Sequence, residues 1–208
     1  MKVEQKANFL TYLRKHTRDQ INDTALRFLY RGEPSDSKEW TYGELERRIA
    51  TIAAYLRDRK AVGKAVLLAY SPGLEFVAAL LGCFSAGAIA VPSHSPTAGK
   101  KRTERFLAIS ADCGAKLVLT DSKNIGQVLE KRATEPKDSW YELDWINTEN
   151  LPEIKSDAEF VIRSSIAFIQ YTSGSTGKPR GVMVSHENLQ NNLEHIFENI
   201  FTVMEIII

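Results

Sequence analysis

Cysteine is nearly absent: Cys83 and Cys113 are the only two in 208 residues. Two cannot frame a chain of this length with disulfides, and neither has a second Cys or a His at metal-ligand spacing. Both are expected as buried, reduced thiols. Net charge is nearly absent too, with 27 Lys and Arg against 26 Asp and Glu. That balance gives no electrostatic case for nucleic acid or an anionic membrane as the main partner, so any anion site must be local. A secretory signal is missing, because Met1-Lys2-Val3-Glu4-Gln5-Lys6 is polar with no apolar core behind it, and a cytoplasmic location is expected. A membrane span is missing as well. The uncharged stretch from Phe76 to Pro92 falls short of the roughly 20 apolar residues needed and is punctuated by Ala86-Gly87-Ala88. It reads as a buried helix followed by a buried parallel strand. No internal repeat or low-complexity tract is visible.

What is present is a globular composition, 43% hydrophobic and 25% charged, sufficient for a sizeable core. Apolar spacing predicts a helix over Asn8–Thr17 and a strand over Ala25–Tyr30. Thr41 and Glu44 have the spacing of a capping box, followed by Leu45, Ile49, Ile52, Ala53 and Leu56 on one helical face. A strand at Ala65–Tyr70 leads to Ser71-Pro72-Gly73, read as a serine cap and a first-turn proline for a helix over Leu74–Ser85. Strand Ala88–Val91, helix Lys100–Ala111, strand Ala115–Thr120, helix Ser122–Arg132 and a short strand near Tyr141–Trp145 follow. Strands and helices alternate, and the strands are short apolar runs. The pattern predicts an α/β fold of right-handed βαβ units around a mostly parallel sheet with flanking helices. Asn147–Phe160, polar and acidic with Pro152, is expected as a surface connection.

The chemistry concentrates after the strand Ile166–Tyr171, in Thr172-Ser173-Gly174-Ser175-Thr176-Gly177-Lys178-Pro179-Arg180-Gly181. Glycines let a backbone turn and approach a ligand. Backbone N–H groups, four hydroxyls and two cations are what a polyphosphate requires. A strand Val182–Val184 follows, and Ser185 is placed to cap a helix bearing Leu189, Leu193, Phe197 and Ile200. The segment is not a Walker loop: two residues separate Gly174 from Gly177, and Lys178 precedes Pro179 rather than a hydroxyl residue. No GxGxxG fingerprint occurs either. Read on residue types alone, the segment is either a phosphate cradle or an ordinary polar turn.

This run resembles the signature loop of the adenylate-forming, AMP-dependent synthetase and ligase superfamily. Within it the chain looks most like the fatty acyl-AMP ligases, on Thr24-Ala25-Leu26-Arg27-Phe28-Leu29, on Pro72–Ala79 leading to Gly87–Pro92, and on Phe168–Gly181. The likeness extends from about Phe9 to Ile196 and departs at Arg180, where the family usually has lysine; the charge is kept in a planar fork. The resemblance implies the first part of the large N-terminal domain of the adenylate-forming fold. It implies activation of a fatty acid by ATP with Mg²⁺, release of pyrophosphate, and transfer of the acyl group to an acyl carrier protein or a polyketide or peptide synthase module. It assigns the nucleotide phosphates to Thr172, Ser173, Gly174, Ser175, Thr176, Gly177, Lys178, Arg180 and Gly181, and no catalytic or metal-ligating residue within the chain. The family's enzymes are more than twice this long. The expectation is therefore an incomplete AMP-binding domain over residues 1–200, an atypical hydrophobic tail over 201–208 whose three terminal isoleucines are β-prone and aggregation-prone, no C-terminal lid domain, and no adenylation by this chain alone.

Other residues carry weaker expectations. His186 is placed to cap or pack the last helix, His94 to lie in a surface loop after a strand end, with a place near a ligand crevice as the alternative, and His16 and His195 on solvated helix faces. Lys100, Lys101, Arg102 and Arg105 read as a solvated basic face, with a carrier protein's acidic surface as the alternative. Three readings stay open: the acyl-activating ligase, a non-catalytic remnant that binds nucleotide or a partner, and an acyl-CoA synthetase or amino-acid adenylation domain.

Overall fold

A computed structural model describes residues 9–134, 139–154, 164–173 and 179–206. Helix α1 (Phe9–Asp19) packs by Leu10 and Leu13 into the core, and a hairpin of β1 (Thr24–Leu29) and β2 (Ser37–Thr41) follows. Strand β2 is not visible in the sequence, because Ser-Lys-Glu-Trp-Thr has one apolar residue; it exists through its antiparallel pairing with β1, which sets Leu26 opposite Trp40. Helix α2 (Tyr42–Asp58) begins at the expected capping box. Glu44 N donates to Thr41 Oγ1 at 3.2 Å, and Thr41 N donates to Glu44 Oε2 at 2.8 Å.

The remaining strands are β3 (Ala65–Ala69), β4 (Ile89–Pro92), β5 (Leu117–Thr120), β6 (Asp144–Asn147), β7 (Ile166–Ser173) and β8 (Pro179–Ser185). They form a sheet in the order β6-β5-β3-β4-β7-β8, parallel throughout except for the antiparallel β7–β8 pair. Helices α3 (Leu74–Ala86), α4 (Lys100–Cys113) and α5 (Ser122–Thr134) connect β3 to β4, β4 to β5 and β5 to β6. The first step runs one way across the sheet and the next two run back, so crossovers of one hand place α3 opposite α4 and α5. The cores divide accordingly. Val66 and Leu68 of β3 face α2 and α3, while Leu67 and Ala69 face Phe106 and Ile109 of α4 and Val128 of α5. One alternating apolar strand thus feeds two cores. Helices α2 and α3 cross closely at Gly82, where a Cβ would lie 2.6 Å from Ile52 Cγ2.

The structure corrects three readings. Helix α3 starts at Leu74 after Gly73, with no side-chain cap. Ser71 is drawn elsewhere: its amide donates to Asp121 Oδ2 at 2.6 Å and its hydroxyl accepts from Asn124 Nδ2 at 3.2 Å. Cys83 is fully buried, but Cys113 is only partly so. The stretch after β6 is no plain surface connection where it begins, since Thr148 is buried and its hydroxyl pairs with Tyr70 OH at 2.8 Å. Residues 155–163 of that connection lie outside the described residues. Helix α6 (His186–Ile206) runs into the expected tail as far as Ile206, and Ile207 and Ile208 lie outside the described residues. Among the described residues no helix is long and apolar enough to cross a membrane.

Candidate functional site

Because β3, β4 and β7 run parallel, they end at one edge of the sheet. Strands β4 and β7 are in register at Ala90↔Phe168 and then part. Ser93 N still donates to Leu68 O at 3.0 Å, so the chain beyond β4 stays with β3, whereas β7 follows β8 out to Ser173↔Pro179. Pro92, at the parting, has no N–H with which to continue a ladder. A cavity of about 410 Å³ fills the wedge, within the range of small-molecule sites. Leu68, Tyr70 and Phe76 give it an apolar side. Arg105 and Ile109 come from α4, and Ser93, His94, Gln170 and Tyr171 add polar groups. His94, expected as a loop residue, is exposed yet lines this cavity.

Of the expected phosphate-gripping residues, Thr172 and Ser173 end β7, directly after the cavity-lining Tyr171, and Arg180 and Gly181 lie on the facing strand β8. Thr172 pairs with Arg180 and Tyr171 with Gly181, on facing strands. Thr172 and Arg180 are exposed. Gly174, Ser175, Thr176, Gly177 and Lys178 join the two strands and lie outside the described residues. Gly181 has a packing reason in addition: a Cβ there would meet Ile169 Cγ2 at 2.9 Å and Tyr171 Cζ at 3.0 Å, so the Tyr171 ring lies across the space a side chain would take.

Several residues of the site were not singled out by spacing. Arg105 leaves its solvated basic neighbours, becomes half-buried, and donates from Nη2 to Tyr171 O at 3.1 Å. Asp112, two helical turns further along α4, accepts the Tyr171 phenol through Oδ2. Burial, and then that hydrogen bond, push the Tyr171 phenol well above the usual tyrosine value, so it stays a donor at any ordinary pH. A heptad-spaced cation and acid flanking the apolar stripe of Phe106 and Ile109 was the available sequence signal.

On the other side of the cavity a buried ion pair fixes Tyr70. Arg48 Nη2 donates to Glu75 Oε2 at 2.7 Å and to Thr148 O at 3.0 Å. Both ionic side chains are largely withdrawn from solvent, at 12% and 15% exposure.

His186 packs rather than reacts. Its ring meets Phe84 edge-on at 5.1 Å, its amide donates to Ser165 O, and Ser185 caps the helix through Asn188 N at 2.9 Å. Burial holds the imidazole below its ordinary value of 6.5, and Nε2 has no partner among the described residues. The folded state therefore binds fewer protons than the unfolded chain, and stability present above pH 6.5 is lost as pH falls through and below it. Urea midpoints of His186→Gln are expected to decline less than those of the parent between about pH 7.5 and 5.5, a window above most carboxylate titration. Parallel declines would show that His186 stays solvated.

Residues 13–205 match the family described as AMP-binding enzyme. The medium-chain-fatty-acid–[acyl-carrier-protein] ligase JamA of Moorena producens is 35% identical over 179 residues, covering 84% of this chain and 30% of that protein. The putative fatty-acid–CoA ligase fadD25 of Mycobacterium tuberculosis is 33% identical over 196 residues, covering 92% of this chain and 33% of that protein. Among solved structures, a fatty acyl-adenylate ligase from Legionella pneumophila in complex with acyl adenylate and pyrophosphate aligns with a TM-score of 0.71 and 32% identity, over 92% of this chain and 32% of the other. The chain spans about a third of the length of the curated relatives it matches.

Proposed function

The chain belongs to the AMP-binding enzyme family, and from that premise we propose that it supplies the phosphate-gripping part of a ligase that activates a fatty acid with ATP. In this reaction a carboxylate oxygen of the acid attacks the α-phosphorus. The bond from that phosphorus to the oxygen bridging to the β-phosphate breaks, and pyrophosphate leaves with the electron pair. In the acyl adenylate the carbonyl carbon is then attacked by a thiolate sulfur, its bond to the phosphate oxygen breaks and AMP leaves with the electron pair; a carrier protein is the proposed source of the thiol. The observation that supports the reading is a cavity of about 410 Å³ at the carboxyl edge of a largely parallel sheet, lined by Gln170 and Tyr171 of β7 immediately before Thr172. Ligands of open α/β sheets settle at that edge.

The proposed task of this chain is electrostatic. Hydroxyls of Thr172, Ser173, Ser175 and Thr176, amides around Gly174, Gly177 and Gly181, and the cations Lys178 and Arg180 hold the β- and γ-phosphates, and so stabilise charge on the departing pyrophosphate. Of the carboxylates bonded to cavity-lining residues, Asp112 accepts from Tyr171, and Asp121 accepts from Ser71 and Asn124. No group of three or more His, Cys, Asp or Glu side chains converges among the described residues. No step is assigned to magnesium.

Calorimetry of the purified chain, with an ATP–pyrophosphate exchange assay beside it, tests the reading. Saturable binding of inorganic pyrophosphate and of ATP, without fatty-acid-dependent ATP–pyrophosphate exchange, is the expected result. Exchange by the chain alone would show that it is self-sufficient. Absence of both binding and exchange would sink the nucleotide reading.

A further inference from the structure

We propose that α4 is a brace for the β7–β8 hairpin, with Arg105 and Asp112 as positioning residues that act through Tyr171. The inference deepens the nucleotide reading above and rests on it for its functional consequence.

Tyr171 is the last apolar residue of β7 before the run of hydroxyls, and it is held at both ends. Its carbonyl accepts from Arg105 at 3.1 Å and its phenol donates to Asp112. The two partners are seven residues apart, hence on one face of α4 and separated by roughly 10 Å of helix. Both links span long stretches of chain, 66 and 59 residues. The ring reaches α4 by crossing Gly181 on the facing strand, where an added Cβ would come within 3.0 Å of Tyr171 Cζ and press on the ring. One tyrosine therefore ties α4 to both strands of the hairpin.

Two features mark this as positioning rather than ordinary core packing. A phenylalanine fills the same volume, yet Tyr171, only 6% exposed, carries a hydroxyl whose burial is costly unless it is paired. Further, β7 has parted from β4 at this level, so a strand partner on that side is replaced by a guanidinium that also lines the cavity. The brace fixes the direction in which the hairpin leaves the sheet. Donors that hold a leaving group act by being preorganised, so their support bears on affinity.

The test uses the full chain. Amide hydrogen exchange is followed in segments 168–173 and 179–184, with β5 as the internal control, alongside calorimetric binding of inorganic pyrophosphate. Tyr171→Phe, which keeps the ring, and Asp112→Ala are each expected to speed hairpin exchange about tenfold, the worth of one charge-assisted hydrogen bond, while β5 is unchanged. The double variant is expected to match either single one, and Asp112→Asn, which keeps an acceptor, to recover most of the protection. Pyrophosphate affinity is expected to fall five- to tenfold in the loosened variants, by roughly the same interaction. Equal acceleration in β5 and the hairpin, or additive effects in the double variant, would overturn the brace. So would parental pyrophosphate affinity in variants whose hairpins have loosened. If the parent chain binds no pyrophosphate but exchange responds as expected, the nucleotide reading fails and the brace stands.

Discussion

Glu75→Ala is expected to lower the stability of the chain by about 3–5 kcal/mol, the usual cost of stranding one member of a buried ion pair. Arg48 would keep Thr148 O as an acceptor but lose the carboxylate at 2.7 Å, in a setting where its Nε already has no partner among the described residues. A cation left without its counter-ion cannot be rehydrated unless α2 and α3 separate, and these helices are locked by the approach of Gly82 to Ile52. Chemical denaturation checks the size of the effect. A loss below about 1 kcal/mol would mean that the pair behaves like an exposed one. Replacing both residues together, Arg48→Met with Glu75→Leu, is expected to recover most of the loss, because the penalty lies in the unpaired charge.

This loss has a local consequence as well. Arg48 holds Thr148 through its carbonyl, and Thr148 holds Tyr70 through its hydroxyl at 2.8 Å. Tyr70 lines the cavity. The ion pair and the α4 brace thus support the cavity from the two faces of the sheet, one toward β3 and the other toward β7.

Much of this frame was legible because it rests on local rules. Ala65–Ala69 is a short apolar run bounded by Gly63 and Pro72, and it became a strand feeding both cores. Thr41 and Glu44 satisfied each other as their spacing required. The departures share a physical cause, which is a partner distant in sequence. Ser71 was read as a helix cap, but Asp121, 50 residues away, takes its amide. Trp40 sits in a strand only because Leu26 lies opposite. Arg105 stood in a run of basic residues, and its heptad spacing to Asp112 does not identify the carbonyl 66 residues on to which it turns. The hydroxyl-rich loop was conspicuous by composition, while the residues that aim its hairpin were not.

The loop itself carries the remaining large effect. In a ligase that completes this chain to the length of its curated relatives, Thr176→Ala is expected to slow fatty-acid-dependent ATP–pyrophosphate exchange about a hundredfold, corresponding to roughly 3 kcal/mol of lost transition-state stabilisation. The reasoning turns on when the charge appears. As the bond to the α-phosphorus breaks, negative charge moves onto the pyrophosphate oxygens, and a donor fixed toward them gains in the transition state more than in the ground state. The maximal rate is therefore expected to fall more than the apparent affinity for ATP. A variant whose loss lies wholly in KM would place Thr176 in ground-state binding only, and unchanged exchange would remove it from the phosphate site. Thr176→Ser, which keeps the hydroxyl, is the control: recovery there assigns the effect to the donor rather than to the shape of the turn.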